Sequence, residues 1–117
     1  MLKSICVFCG SSRGNNNYIN AAEELGLSLV KNNIRLIYGG AKVGLMGHIA
    51  KTVLNHNGEV IGIMPEYLVK MEVAFPEITE LRIVKTMHER KAMMEDLSDA
   101  FIAMPGGFGT FEEIFEM

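Results

Sequence analysis

Short apolar runs alternate with amphipathic stretches along the chain. The run Leu2–Cys9 predicts a buried strand. Asn17–Asn32 sets Ile19, Ala22, Leu25 and Leu29 along one stripe at helical spacing, which predicts a helix. Ile34–Tyr38 predicts a second strand that ends in Gly39-Gly40. Gly44–Asn55 carries Leu45, Ile49 and Val53 at i, i+4 and i+8, a second helix, and Gly58 is expected to stop it just past its end. Glu59–Met64 predicts a third strand, closed by Pro65. Residues 66–79 read as a short helical turn and a loop. Leu81–Lys85 predicts a fourth strand, Met87–Leu97 a helix and Asp99–Met104 a fifth strand. Pro105–Gly109 then forms a turn, and Thr110 opens a last helix.

Strands with continuous rather than alternating apolar character, separated by helices, predict an α/β fold with a parallel sheet covered on both faces. Its crossovers are expected to be right-handed. In such sheets ligands sit beyond the carboxyl ends of the strands. That rule gathers four loops at one edge: Gly10–Asn16, Gly39–Gly44, Pro65–Glu72 and Pro105–Gly109. Three of them are rich in glycine.

Composition narrows the partners. The 117 residues suggest one domain, and 49% hydrophobic content argues against disorder. A net charge of −3 without blocks of like charge argues against a nucleic-acid polymer as partner. It leaves room for a small phosphate held by backbone groups. No apolar run is long enough to span a bilayer, and the start, MLKSICVFCG, is too short a run for a secretory signal. The expected location is the cytoplasm, with no membrane partner. Cys6 and Cys9 form a C-x-x-C, but redox chemistry wants that pair at a helix start. On a strand, i and i+3 face opposite sides, so buried thiols are expected.

The glycine turns have the parts of an anion cradle. Glycine lets backbone N–H groups approach a ligand closely. A helix that starts there adds unpaired donors and partial positive charge. In PGGFGT, Pro105 ends the strand, Gly106, Gly107 and Gly109 free the backbone, and Thr110 supplies a hydroxyl. It is neither a Walker A loop nor G-x-G-x-x-G. GGAKVGLMG, with Gly39, Gly40, Gly44 and Gly47, is a looser second candidate. Tight turning and close packing are the plain alternative for each loop. Ser11 and Ser12 in CGSSRG are placed to cap or touch a ligand, since no Ser-His-Asp set or G-x-S-x-G is present.

Arg90 falls on the apolar stripe of its helix, at i+3 from Met87 and i−4 from Met94. A charge on a buried face needs a partner, and a cation in the first helical turn is mildly unfavourable. An anionic ligand nearby offsets both; an internal salt bridge is the alternative. Lys91 beside it can be a plain surface lysine. Thr110–Glu113 is a capping-box pattern, so Glu113 has a structural role available. Glu112 and Glu72 have no local explanation. His48, His56 and His88 lack metal-ligand spacing, and no metal site is expected.

At PGGFGTFEE, with MHERK upstream, the chain resembles the LONELY GUY family of cytokinin riboside 5′-monophosphate phosphoribohydrolases, which long carried a lysine decarboxylase label. The family motif P-G-G-x-G-T-x-x-E is matched by Pro105, Gly106, Gly107, Gly109, Thr110 and Glu113. Its arginine motif is matched by Met87, His88, Arg90 and Lys91. VFCGSS, YGGAKVGLMG and MEVAFPEITEL resemble further family segments, so the likeness covers the chain. The resemblance implies a three-layer, Rossmann-like doubly wound sheet and a homodimer. It implies hydrolysis of the N-glycosidic bond of a nucleoside 5′-monophosphate, giving free base and ribose 5-phosphate without a cofactor. Arg90 and Glu113 would be the catalytic pair. Gly106, Gly107, Phe108, Gly109 and Thr110 would hold the phosphate, with Glu72, Lys91 and Glu112 also lining the site. Nothing marks a pyridoxal-phosphate lysine, so the decarboxylase label finds no support.

Family members usually continue past the motif helix with another strand and more helices, which are expected to cover the stripe Phe111, Ile114 and Phe115. Two alternatives to the enzyme therefore stand. One is a binding module like the molybdenum-cofactor carriers, and the other is a shortened, inactive remnant.

Overall fold

The computed structural model describes residues 2–8, 16–71 and 74–104. Five strands alternate with helices: β1 (Ser4–Phe8), α1 (Asn16–Lys31), β2 (Arg35–Tyr38), α2 (Gly44–Asn55), β3 (Val60–Pro65), β4 (Glu80–Val84), α3 (Met87–Leu97) and β5 (Ala100–Ala103), with a 3-10 turn at Glu66–Leu68. These bounds lie within two residues of those expected from the pattern. Every pairing between these strands is parallel, in the order β4-β3-β2-β1-β5. The chain winds outward from β1 to β4, then returns to lay β5 on the other side of β1. The order therefore reverses between β1 and β5.

That reversal distributes the helices. Crossovers of one hand place helices on opposite faces when the sheet is wound in opposite directions. Ile5, Val7, Leu36, Tyr38 and Val60 pack with Ala22 and Leu29 of α1 and with Leu45, Ile49 and Val53 of α2. The alternate positions Cys6, Phe8, Ile37, Ile61 and Ile63 pack with Met94 of α3. Strand residues one apart thus serve two different cores, as the period of two requires. Cys6 is buried in β1, and Cys9 lies outside the described residues. The edge strands are less covered than their apolar runs suggested: Phe101 on β5 is 45% exposed and stacks on Phe8.

Two helices end in the same way, which corrects one expectation. Asn33 and Asn57 hold positive φ, 54° and 65°. Around them Ile34 N–H donates to Leu29 O and Asn33 N–H to Val30 O, while Gly58 N–H donates to Val53 O and Asn57 N–H to Leu54 O. Both are Schellman closures with asparagine in the left-handed position. Gly58 is therefore not the left-handed residue; it is small because a Cβ would meet Val53 and Val30 at 2.5 and 2.8 Å.

At the amino-terminal edge Asp99 ties β5 to β1, accepting from Lys3 N–H at 2.8 Å and Ser4 N–H at 3.0 Å. These two amides hold its carboxyl below the ordinary carboxylate range. A lowered folded value means stability that is full above the unfolded pKa, near 4, and lost as pH falls through the folded one. Asp99→Ala is expected to lower Tm at pH 7. The gap to wild type should narrow as pH drops below about 4, which thermal melts between pH 2.5 and 7 would measure.

Candidate functional site

Helix α3 opens on a reciprocal cap. The Thr86 hydroxyl accepts from Glu89 N–H at 3.1 Å, and the Glu89 carboxylate accepts from Lys85 N–H at 2.9 Å. The sequence TMHE carries this S/T-x-x-E signal. Apolar periodicity does not register it, because the signal lies in polar residues. The cap fixes where the first turn starts, and so which direction Arg90 faces.

Arg90 faces the sheet and is buried, at 9% exposure. Its side chain reaches across the carboxyl ends of two strands. Nε donates to Ile63 O of β3 at 2.8 Å, and Nη2 donates to the Gly39 O that follows β2 at 2.7 Å. Nη1 makes a long contact, 3.7 Å, to Met87 Sδ. The internal salt bridge weighed from sequence is not among its described contacts: both oxygen partners are neutral carbonyls. Hydrogen bonds to a charged group contribute about 1.5–3 kcal/mol each. Removing an ion from water costs several kcal/mol even after relaxation. Two carbonyls satisfy donors and fix orientation, but they do not neutralise the charge. Among the described residues the guanidinium is thus a fixed cation at the ligand edge of the sheet, with donors to spare.

The loop after β2 is braced around it. Gly40 takes φ +92°, a glycine conformation, and its carbonyl accepts from Phe75 N–H at 2.9 Å. The buried Tyr38 hydroxyl donates to Ala41 O at 2.7 Å, and burial pushes its pKa up, so it stays protonated. Ala41 bridges Ala74, and Lys42 lies 5.8 Å over the Phe75 ring. These contacts clip the β2–α2 loop to the β3–β4 loop. Gly47 is small for packing, since a Cβ would come within 1.9 Å of Lys42 O. Beside the loop, a cleft of about 330 Å³ opens between Ile19, Lys42, Val43, His48 and Lys51. His48 there meets Glu23 at 2.8 Å. Among the described residues no group of His, Cys, Asp and Glu could hold a metal ion, and no helix is long and apolar enough to cross a membrane.

Of the residues singled out from sequence, Arg90, Lys91, Gly39 and Gly40 are described. Arg90 and Gly39 touch, Gly40 adjoins them, and Lys91 is half-buried on the next position of α3. Ser11, Glu72, Gly106, Gly107, Phe108, Gly109, Thr110, Glu112 and Glu113 lie outside the described residues. The strand ends from which two of those segments depart are placed. Met104 N–H donates to Phe8 O at 2.7 Å, so β1 and β5 end side by side at the reversal of strand order. Neighbouring strands are about 4.8 Å apart, which puts the ends of β5 and β2 roughly 10 Å from each other.

Comparison with known proteins adds an independent line. Residues 46–117 match the family described as "Possible lysine decarboxylase". A cytokinin riboside 5′-monophosphate phosphoribohydrolase of Arabidopsis thaliana is 52% identical over 116 residues, 98% of this chain and 54% of that protein. A protein of the same name from Rhodococcoides fascians is 48% identical over 117 residues, 98% of this chain and 59% of its own. The chain spans about half the length of the curated relatives it matches. Among solved structures, the molybdenum cofactor carrier protein of Chlamydomonas reinhardtii superposes with a TM-score of 0.80 at 22% identity, covering 97% of this chain and 68% of that one. A molybdenum cofactor binding protein from Rippkaea orientalis gives 0.81 at 23% identity, with the same coverage. At that identity the likeness is one of fold, and it confirms the Rossmann-type α/β sheet.

The cap under Arg90 gives a direct expectation. Thr86→Ala removes the acceptor for Glu89 N–H and is expected to cost about 1 kcal/mol of stability. Urea unfolding should show a lower midpoint with an unchanged slope.

Proposed function

The chain belongs to the family described as possible lysine decarboxylase, and from that premise we propose that the protein is a phosphoribohydrolase. It would cleave the N-glycosidic bond of a nucleoside 5′-monophosphate, AMP or an N6-substituted cytokinin nucleotide, and release the free base and ribose 5-phosphate. Relatives near half identity along 98% of the chain carry that activity in their names. The observation in the molecule that supports it most is the buried Arg90 cation, held by neutral carbonyls at the edge where α/β sheets bind ligands. An anionic substrate supplies the charge those carbonyls lack.

Breaking a ribose–base bond leaves the sugar cation-like at C1′, and a carboxylate near that carbon stabilises it or activates water. Glu113 is the residue proposed for this. Water adds to C1′, the bonding pair leaves with the base nitrogen, and a proton returns to the base. Backbone amides of Gly106–Thr110, with the hydroxyl of Thr110, are proposed to grip the phosphate. Glu72, Lys91, Glu112, Ser11 and Gly40 are proposed to line the nucleotide, with Gly39 behind Arg90. Arg90, pinned from below by two carbonyls, would direct its remaining N–H groups at the phosphate or the ribose. A cytoplasmic homodimer, which light scattering would detect as twice the chain mass, belongs to the same proposal.

Incubation with AMP or N6-prenylated AMP is expected to yield free base, quantified by chromatography. Arg90→Ala and Glu113→Gln should each reduce release at least ~100-fold with circular dichroism unchanged. Wild-type turnover in either variant would reject that residue's role. Calorimetric binding of AMP by the wild type without base release would instead favour a binding module.

A further inference from the structure

Gly39 was weighed from sequence as a glycine freeing backbone for an anion. Its geometry says something different. Its φ is not positive; among the described glycines the positive values fall on Gly40 and Gly44. An alanine would therefore meet no backbone strain there. What it would meet is Arg90. A Cβ built on Gly39 lies 2.2 Å from Nη2, 3.2 Å from Cζ and 3.7 Å from Nε, and these are its three nearest atoms. The carbonyl of the same residue accepts from that same Nη2 at 2.7 Å.

We infer that Gly39 is a positioning residue for Arg90: the space its missing Cβ leaves is the seat of the guanidinium, and its carbonyl sets the guanidinium's plane. The inference rests on the role proposed above for Arg90. Two other glycines nearby mark the contrast. At Gly47 the obstacle to a Cβ is Lys42 O at 1.9 Å, and at Gly62 it is Gly40 Cα at 2.6 Å. Those are main-chain atoms, and substitution there must move the fold. At Gly39 the obstacle is the far end of a side chain, which can swing away. Gly39→Ala leaves β2 in place and expels the guanidinium from between its two carbonyls. Arg90 keeps its charge and loses its aim. A misplacement of about 1 Å in a catalytic group can cost on the order of 100-fold in rate.

The test is a double-mutant cycle in the full chain. Gly39→Ala is made in the wild type and in an R90K background, where the planar head that needs the space is gone. Base release from AMP is expected to fall at least ~10-fold in the first and less than about twofold in the second. A readout independent of turnover is the Arg90 Nε–H resonance. Its solvent exchange, slow while it donates to Ile63 O, should accelerate at least ~10-fold in G39A. Equal losses in both backgrounds, or an unchanged Nε–H exchange, overturn the inference. If G39A fails to fold but the double variant folds, the clash with Arg90 is confirmed; if both fail, Gly39 serves the backbone and the inference is wrong. If R90K releases base like the wild type, the proposed role of Arg90 falls, while Nε–H exchange still decides whether Gly39 seats it.

Discussion

A positive charge buried at the ends of two parallel strands is the constraint around which this edge of the molecule is arranged. The Arg90 guanidinium spans from β3 to the loop after β2, and strand and loop contribute one backbone carbonyl each. Carbonyls at strand ends are the acceptors a parallel sheet leaves beyond its ladder. Using them keeps the cation in place without neutralising it. A carboxylate partner would have locked the same geometry while removing the attraction for an anion. Among the described residues the clamps are neutral, and they preserve both position and charge.

Neighbouring features follow from that choice. The residue under the guanidinium must be small, and it is Gly39. The helix that carries the arginine must begin at a fixed point, and the Thr86–Glu89 cap with the Lys85 amide sets it. The loop after β2 must not sag away from its carbonyl. Gly40, Tyr38 and the Phe75 amide hold it. None of these groups needs to touch a ligand to matter to binding.

The winding of the sheet sets the ends of β1 and β5 at the same edge. Because the chain goes out from β1 and returns as β5, the order reverses between β1 and β5, and β2 and β3 stand one and two strands farther along. β1 and β5 end side by side there, at Phe8 and Met104. The relatives near half identity and the structural neighbours near 22% divide this information between them. The former carry the family, and the latter carry only the winding.

The sequence by itself determined the alternation of strands and helices, because periodicity is a local property. The stripe Leu45, Ile49 and Val53 and the run Val60–Met64 each commit to one structure without reference to anything distant. It also marked Arg90 as a charge on an apolar face, which is again a matter of spacing. The partners of that charge lie 27 and 51 positions away, and no periodicity connects them. Gly39 looked like an anion-loop glycine because a sequence does not distinguish a glycine needed for φ from one needed for room. Gly58 looked like the helix stop for the same reason: which of two adjacent small or polar residues turns left-handed depends on what the other must avoid, here Val53 and Val30. Steric exclusion between residues far apart in the chain exists only once the chain has folded, and so only the tertiary structure decided it.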